Sequence, residues 1–165
     1  MLAFDAAAFL AEPGRPAQVA CVSPSGKPLL GSLWYIFDRS RFWFSSLAGS
    51  PLLAAAERGT LVAVIVDDFH PPDSIRQVRV RGPARREPHD PETVCGIYRR
   101  YLGSDRRQWP QFFQTRVEDP QWALWSMSPE TGLAVSTPGF RGPERRWHRL
   151  ADCPLDAGGS QPTQE

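Results

Sequence analysis

The stretch "AQVACVSPSGKPLLGSLWYIFDRSRFWFSS", residues 17–46, decides the fold. It contains three segments rich in β-branched and aromatic residues, at 17–23, 28–38 and 42–46. The turns "PSGK" and "RSR" separate these segments. Such short connections join antiparallel neighbours, because a parallel crossover needs about a dozen residues or more. The stretch therefore predicts an antiparallel meander.

The rest of the chain adds further strands and a few helices. Four more segments have the composition of strands, at 60–68, 74–88, 121–129 and 145–150. Helices are predicted at 3–11, 50–57, 90–103 and 107–116. This order predicts a mainly β fold with peripheral helices, an antiparallel β-barrel of about six to seven strands. One domain is expected over residues 1–151, followed by a disordered tail at 152–165.

Composition excludes several classes of function. The 165 residues carry 19 basic and 18 acidic side chains, and a net charge of +1 does not attract nucleic acid or a membrane surface. No apolar run approaches the roughly 20 residues that cross a bilayer. The three cysteines are far apart and form no CxxC pair, so a reducing cytoplasm is expected. The abundance of Ala, Arg and Pro suggests a GC-rich bacterial genome.

The sequence contains no motif for metal binding or nucleophilic catalysis. His70, His89 and His148 are dispersed, and none has a second His or Cys at ligand spacing. The sequence contains no G-x-S-x-G motif and no cysteine in an activated context. The arginine pairs are spread over different elements with acidic residues between them, which favours a solvated surface over a nucleic-acid site. No metal site and no nucleophile are predicted.

The segment "FWFSSLAGSPLLAAAERG", residues 42–59, predicts the end of a strand, a serine-rich turn and a helix. A helix N-terminus after small polar residues is a common anion site, because free backbone N–H groups point at the ligand. However, Pro51 and Leu52 open this helix, and no basic residue follows before Arg58. From the residues alone, the segment is either an anion site without its cations or an ordinary turn.

The alternation in "SIRQVRVRG", residues 74–82, predicts a strand with two different faces. Gln77, Arg79 and Arg81 share one face with Ile75, while the valines lie on the other. A face of this kind meets solvent, an interface or a polar ligand. The amide of Gln77 both donates and accepts hydrogen bonds, which suits a ring with mixed donors and acceptors. The six tryptophans are expected mostly in the core, although aromatic side chains also enclose planar ligands.

The order of these elements resembles the FMN-binding split barrel of the pyridoxamine 5'-phosphate oxidase family. The resemblance runs from about Phe9 to Arg86, with weaker agreement to Leu150. Its most specific segment is "RQVRVRG"; "RFWFSS" and "GSPLLAAAERGTLVAVIVDD" resemble the third strand, the following helix and the fourth strand. The resemblance implies a split barrel that forms a homodimer with flavin bound at the subunit interface.

The resemblance also implies which residues bind the cofactor. The flavin phosphate is expected to contact Ser45, Ser46 and Ser50. The flavin ring is expected to contact Ser32, Trp34 and Gln77. Relatives usually carry Arg or Lys where this chain has Pro51 and Leu52. The missing charge would have to come from another arginine, for which Arg58, Arg79 and Arg81 are the candidates.

Two functions of different classes remain open from the sequence. The first is a flavin-dependent oxidoreductase that acts on an unidentified small conjugated substrate, with FMN favoured over F420 because of Gln77. The second is a non-catalytic protein that has lost the phosphate site and binds a tetrapyrrole or another apolar ligand. Haem chemistry with His70 or His148 as the axial ligand is a third reading. The oxidase's own C-terminal Arg-x-His motif has a partial match in Arg146 and His148.

Overall fold

The computed structural model of the protein describes residues 5–136 and 144–156. Within these residues, nine β-strands and four α-helices follow one another along the chain. The strands are β1 (Ala17–Val22), β2 (Pro28–Leu33), β3 (Tyr35–Asp38), β4 (Arg41–Leu47), β5 (Leu61–His70), β6 (Ser74–Arg86), β7 (Trp122–Met127), β8 (Thr131–Ser136) and β9 (Glu144–Trp147). The helices are α1 (Ala6–Ala11), α2 (Pro51–Glu57), α3 (Pro91–Leu102) and α4 (Gln111–Arg116). No helix among the described residues is long and apolar enough to cross a membrane.

The strands form one antiparallel sheet that divides along β6. The order is β2-β1-β5-β6-β7-β4-β3, with β8 paired to β6 and β9 paired to β8. Residues 76–81 of β6 pair with β8, whereas residues 84–86 pair with β7. The strand therefore leaves one half of the sheet and enters the other near Gly82, which confirms the predicted split barrel.

The strand count exceeds the prediction for two reasons. The expected second strand, 28–38, is interrupted at Trp34: β2 pairs with β1, while β3 pairs with β4 in the other half of the sheet. The second reason is β8, which was not predicted at all. Both halves of an interrupted strand keep strand composition, so the interruption is visible only once the pairing partners are known.

Two apolar clusters hold the barrel and its helices together. The main core lies inside the barrel and receives the inward side chains of β1, β4, β5 and β6, together with α1 and α2. A second cluster lies between the sheet and the helices α3 and α4; its buried members are Trp43, Val94, Ile97, Tyr98, Trp109, Val117 and Leu124. The second cluster covers the outer side of β4, so this strand is packed on both faces.

Local signals position α3 as expected but not the helix predicted after it. Asp90 caps α3 by accepting a hydrogen bond from Glu92 N at 3.2 Å, Pro91 occupies the first turn, and Gly103 ends the helix with φ of 90°. The helix predicted at 107–116 is instead a short 3-10 turn followed by α4. Pro110 separates them, because a proline supplies no N–H to an upstream helix.

The first residues of the C-terminal segment are ordered, although disorder was predicted for them. Residues 150–152 and 154–156 form short 3-10 turns, and Leu155 is buried in the main core. The segment expected to be disordered from Asp152 is therefore packed as far as Leu155, because this apolar side chain has a place beside α1. Residues 157–165 lie outside the described part of the chain.

An ionic network ties the end of α1 to the β5–β6 hairpin. Arg76 lies between two carboxylates, with Nη1 2.7 Å from Glu12 Oε1 and Nη2 2.6 Å from Asp68 Oδ2. Arg15 adds a contact to Glu12 at 2.6 Å, and His70 Nδ1 lies 2.7 Å from Asp68 Oδ1. Hydrogen bonds from Arg76 hold the pKa of both Glu12 and Asp68 below their ordinary values.

Because of this network, we expect the free energy of unfolding to fall in acid. We expect Asp68→Asn to lower the free energy of unfolding at pH 7 by about 1 kcal/mol, because the pair is only partly buried. A carboxyl whose folded pKa is lowered stabilises the protein above its unfolded pKa, about 3.8, and this contribution is lost as pH falls through the folded value. Urea denaturation should therefore separate variant and wild type at pH 7, and the difference should shrink as the pH falls below 3.8.

The neighbouring residue Asp67 supplies a matched control. It is exposed and pairs with no arginine within residues 5–136 and 144–156, so Asp67→Asn should change the free energy of unfolding by less than about 0.5 kcal/mol at pH 7 or in acid. A difference between Asp68→Asn and wild type that persists undiminished in acid contradicts the assignment.

Candidate functional site

The outer face of the β2-β1-β5-β6-β8 half of the sheet collects polar and apolar side chains. The pairing register places two rows of residues across this face. The first row is Ser32, Gln18, Ile65 and Arg79, and the neighbouring row is Leu30, Ala20, Ala63 and Arg81. Gln18 Nε2 donates to Ser32 Oγ at 3.1 Å. A concave surface of about 750 Å³, here named the outer concavity, lies over these rows and continues to Trp147 and His148.

The outer concavity combines unpaired cations with exposed apolar groups. Leu30 and Leu61 are 75% and 66% exposed. Arg79 and Arg81 are exposed, as their alternation predicted, and neither forms an ion pair with any residue in the described ranges. A contiguous apolar surface rimmed by polar groups is typical of an interaction site rather than of a solvated face.

A smaller cavity lies where β4 ends and α2 begins. Its volume is about 310 Å³, and we call it the serine cavity. Its lining residues are Leu29, Leu30, Leu33, Ser45, Ser46, Leu47, Ser50, Pro51, Leu52 and Trp122. Leu30 borders the outer concavity as well, so the two spaces are neighbours. The structure thus brings the three predicted phosphate serines together in one place.

The three serines do not have equal freedom to bind a ligand. Ser46 Oγ accepts a hydrogen bond from Trp125 Nε1 at 3.0 Å, so its hydroxyl already has a partner in the core. Ser45 Oγ and Ser50 Oγ are buried; Ser45 has the Tyr98 side chain as a hydrogen-bonding neighbour, whereas Ser50 Oγ makes no hydrogen bond to any described residue. Buried polar atoms in folded proteins are nearly always paired. The Ser50 hydroxyl therefore fits a ligand that brings its own hydrogen-bonding atoms.

The candidate cations lie away from the serine cavity. The first turn of α2 contains no basic residue, and Arg58 caps the opposite end of the helix. Seven helical residues span about 10 Å, so Arg58 is remote from the serines. Arg79 and Arg81 line the outer concavity and not the serine cavity.

Gln77 and Trp34 occupy different settings. Gln77 lies on the outer face of β6, two residues from Arg79. In the strand register it is opposite Asp67 of β5 and Val135 of β8, and it lines neither cavity. Trp34 belongs to the second apolar cluster, where its ring stacks on Tyr101 at 4.6 Å between centroids and on Phe113 at 5.1 Å. Its side chain is therefore engaged with aromatic neighbours from α3 and α4, whereas a flavin contact needs a free ring face.

Sequence reasoning missed two residues beside the serine cavity. Trp122 lines the cavity because β7 pairs with β4 in a register that sets Trp122 opposite Leu47. The guanidinium carbon of Arg116 lies 3.3 Å from the centroid of the Trp122 ring. Nothing in the local sequence signals that Trp122 lines the cavity, since this depends on the pairing of β7 with β4, which is far away in the chain.

The histidines remain separate in the structure. His70 is exposed beside Asp68, His148 is exposed at the rim of the outer concavity, and His89 Nε2 lies 3.1 Å from the carbonyl oxygen of Val117. Within residues 5–136 and 144–156, no group of three or more His, Cys, Asp or Glu side chains is arranged to hold a metal ion.

Comparisons with known proteins agree with the architecture. A structure of the conserved hypothetical protein Rv2991 from Mycobacterium tuberculosis superposes with a TM-score of 0.60 at 21% identity, covering 99% of this chain and 95% of that one. The haem storage protein HutZ from Vibrio cholerae gives 0.61 at 11% identity, with 79% and 92% covered. A structure described as an F420 reductase gives 0.56 at 20% identity, with 79% and 94% covered. These likenesses establish the fold.

The family assignment comes from the sequence itself. No curated protein matches the chain. The family model described as pyridoxamine 5'-phosphate oxidase, however, matches residues 5–136, which is well over half of the sequence. The matched region includes β1 to β8, which contain most of the residues that line the two cavities. The chain belongs to the pyridoxamine 5'-phosphate oxidase family.

Proposed function

We propose that the protein is a flavin-dependent oxidoreductase that binds FMN in preference to F420 and acts on a small conjugated substrate. The observation that carries the proposal is the buried, unpaired hydroxyl of Ser50, which lies with Ser45 in a cavity next to the outer concavity. Leaving a buried hydroxyl unpaired costs about 1–3 kcal/mol, and phosphate oxygens would remove that cost. Membership of the family supports the same conclusion.

In this proposal the chain's own residues bind and orient the cofactor. Bound flavin supplies hydride or electron transfer, and the protein contributes position and electrostatics. Ser45 and Ser50 donate to the phosphate. The Gln77 amide, on the same outer face as Arg79, hydrogen-bonds the ring. Its ability to donate and accept is the reason for preferring FMN, since the flavin ring presents both kinds of group.

The active unit in this proposal is a homodimer with the cofactor at the interface. The exposed side chains of Leu30 and Leu61, beside Ala63 and Ile65, make an apolar surface that a second copy of the chain would cover. Covering it excludes water from the outer concavity and encloses the Gln77 face. Sedimentation equilibrium of the purified protein tests this point; a monomer at high micromolar concentration contradicts it.

One observation favours a second candidate, a non-catalytic protein that binds a tetrapyrrole or another apolar ligand. The serine cavity is lined mainly by leucine, proline and tryptophan side chains, and the first turn of α2 carries no cation. The structural similarity to a haem storage protein is in line with this alternative.

Ligand titration separates the two candidates. FMN, F420 and haemin are each titrated into the purified protein, with binding followed by absorbance and by flavin fluorescence. We expect FMN to bind most tightly, and Ser50→Ala to weaken FMN binding about tenfold, the value of one hydrogen bond to a charged group. The exposed turn residue Ser25 provides the matched control, because Ser25→Ala removes a hydroxyl that lines neither cavity.

The Gln77 contact has its own readout. Gln77→Ala should shift the redox potential of the bound flavin, because the amide interacts differently with its oxidised and reduced rings. Absence of flavin binding below about 100 μM, with haemin bound tightly, overturns the proposed function in favour of the second candidate. An unchanged potential and FMN affinity in Gln77→Ala removes the reason for preferring FMN.

A further inference from the structure

Arg116, the last residue of α4, is a partly buried cation that forms no ion pair with a described carboxylate. Its Nε is buried and makes no hydrogen bond to any described residue. No carboxylate lies within 4 Å of its guanidinium in residues 5–136 and 144–156; the guanidinium has Tyr98 as a hydrogen-bonding neighbour, and the charge of Asp119 acts on it from farther away. Burial lowers the pKa of Arg116. An anion stabilises a partly buried cation more strongly than it stabilises a cation in open water.

Aromatic contacts hold the Arg116 guanidinium in place. Its Cζ lies 3.1 Å from the ring centroid of Phe112 and 3.3 Å from that of Trp122. Contacts between a guanidinium and ring faces orient the charge but do not neutralise it. The side chain is thus fixed before any ligand arrives, which lowers the entropy that binding must spend on ordering it.

This cation lies beside the serine cavity. Trp122, on which Arg116 stacks, lines the serine cavity. Burial raises the pKa of Tyr98, and hydrogen bonds with the Ser45 and Arg116 side chains oppose that rise, so the Tyr98 hydroxyl links the two side chains. The cavity therefore has one buried hydroxyl without a partner among the described residues, that of Ser50, and, behind its lining residue Trp122, a fixed charge that forms no ion pair with a described carboxylate.

We propose that Arg116, together with Ser45 and Ser50, binds the anionic end of the ligand in the serine cavity, namely the phosphate of FMN. This inference rests on the proposed function for the identity of the ligand. Arg116 replaces the charge that the first turn of α2 lacks, from another element of the fold. The alternatives are worse placed, since Arg58 lies at the far end of α2 and Arg79 on the outer face.

The test compares FMN with riboflavin, which differ only in the phosphate. The ratio of their dissociation constants is measured for wild type, Arg116→Gln, Arg116→Lys and Arg58→Gln, after thermal melts establish that each variant is folded. We expect Arg116→Gln to reduce the preference for FMN about ten- to a hundredfold while riboflavin affinity stays within about threefold. Arg116→Lys should retain part of the preference, and Arg58→Gln, a matched loss of one charge, should retain all of it.

The outcomes distinguish this inference from the proposed function. If wild type binds FMN and Arg116→Gln keeps the full preference over riboflavin, the inference is overturned and the function stands. If wild type binds neither flavin, the proposed function fails, and inorganic phosphate becomes the probe. A rise in melting temperature with added phosphate in wild type and Arg58→Gln but not in Arg116→Gln supports the anion site; equal responses of all three overturn it.

Discussion

Gly82→Ala should destabilise the protein by about 3 kcal/mol or more, lowering the melting temperature by roughly 10 °C. Gly82 lies in β6 where the strand passes between the two halves of the sheet. A Cβ at this position would lie 1.7 Å from Ser128 O and 2.9 Å from Ser128 C. Both are backbone atoms, so no side-chain rotation relieves the clash. Either β6 or the segment after β7 must move.

Gly96, in the middle of α3, provides the control for this substitution. A Cβ there meets Ile36 Cδ1 at 3.5 Å, an ordinary contact. Because alanine is the better helix former, Gly96→Ala should stabilise the protein by about 0.5–1 kcal/mol. Thermal and urea denaturation of both variants give the comparison. A Gly82→Ala protein as stable as wild type means that the close crossing of β6 by the Ser128 backbone is incorrect.

Arg100→Ala should be the next most damaging substitution, costing about 3 kcal/mol. Arg100 reaches from α3 to the end of α1, where it donates to the carbonyl oxygens of Leu10 and Glu12, both at 2.5 Å. It also donates to the Tyr35 hydroxyl at 3.0 Å and lies 4.3 Å above the centre of that ring. Removing it leaves carbonyl groups at the helix end without these donors and opens a space beside Tyr35.

The adjacent residue Arg99 makes the comparison clean. Arg99 is exposed, and its Nη2 lies 3.6 Å from the sulfur of Cys95, a weak acceptor. Arg99→Ala therefore removes the same charge from the same helix with an expected cost below about 0.5 kcal/mol. The two variants are compared by urea denaturation at pH 7. Similar losses in both would mean that Arg100 stabilises the protein through its charge alone.

Elements with local signals were predictable from the sequence. The caps of α3, Asp90 and Gly103, act within their own turns, and the alternation of Val78 and Arg79 reports the two faces of β6 directly. The interruption at Trp34 was not predictable, because it depends on β2 and β3 pairing with different strands. The packing of Leu155 into the core was hidden for the same reason, since its neighbours are distant in sequence.

The candidate site divides in the same way. The serines of the turn before α2 were identified because small polar residues at a helix start have a local chemical meaning. Which of their hydroxyls is unpaired was not visible, since Ser46 finds its partner in Trp125 across the barrel. Arg116 was missed because its approach to the serine cavity follows from how α4 packs on β7, which no local pattern encodes.

The shared strand β6 has a consequence for unfolding. One continuous backbone is hydrogen-bonded to β5 and β8 along its first part and to β7 along its last. Separating the two halves means breaking the pairing of β6 with β7 or with β5 and β8, so β6 couples them. We expect the two halves to unfold together in one cooperative transition.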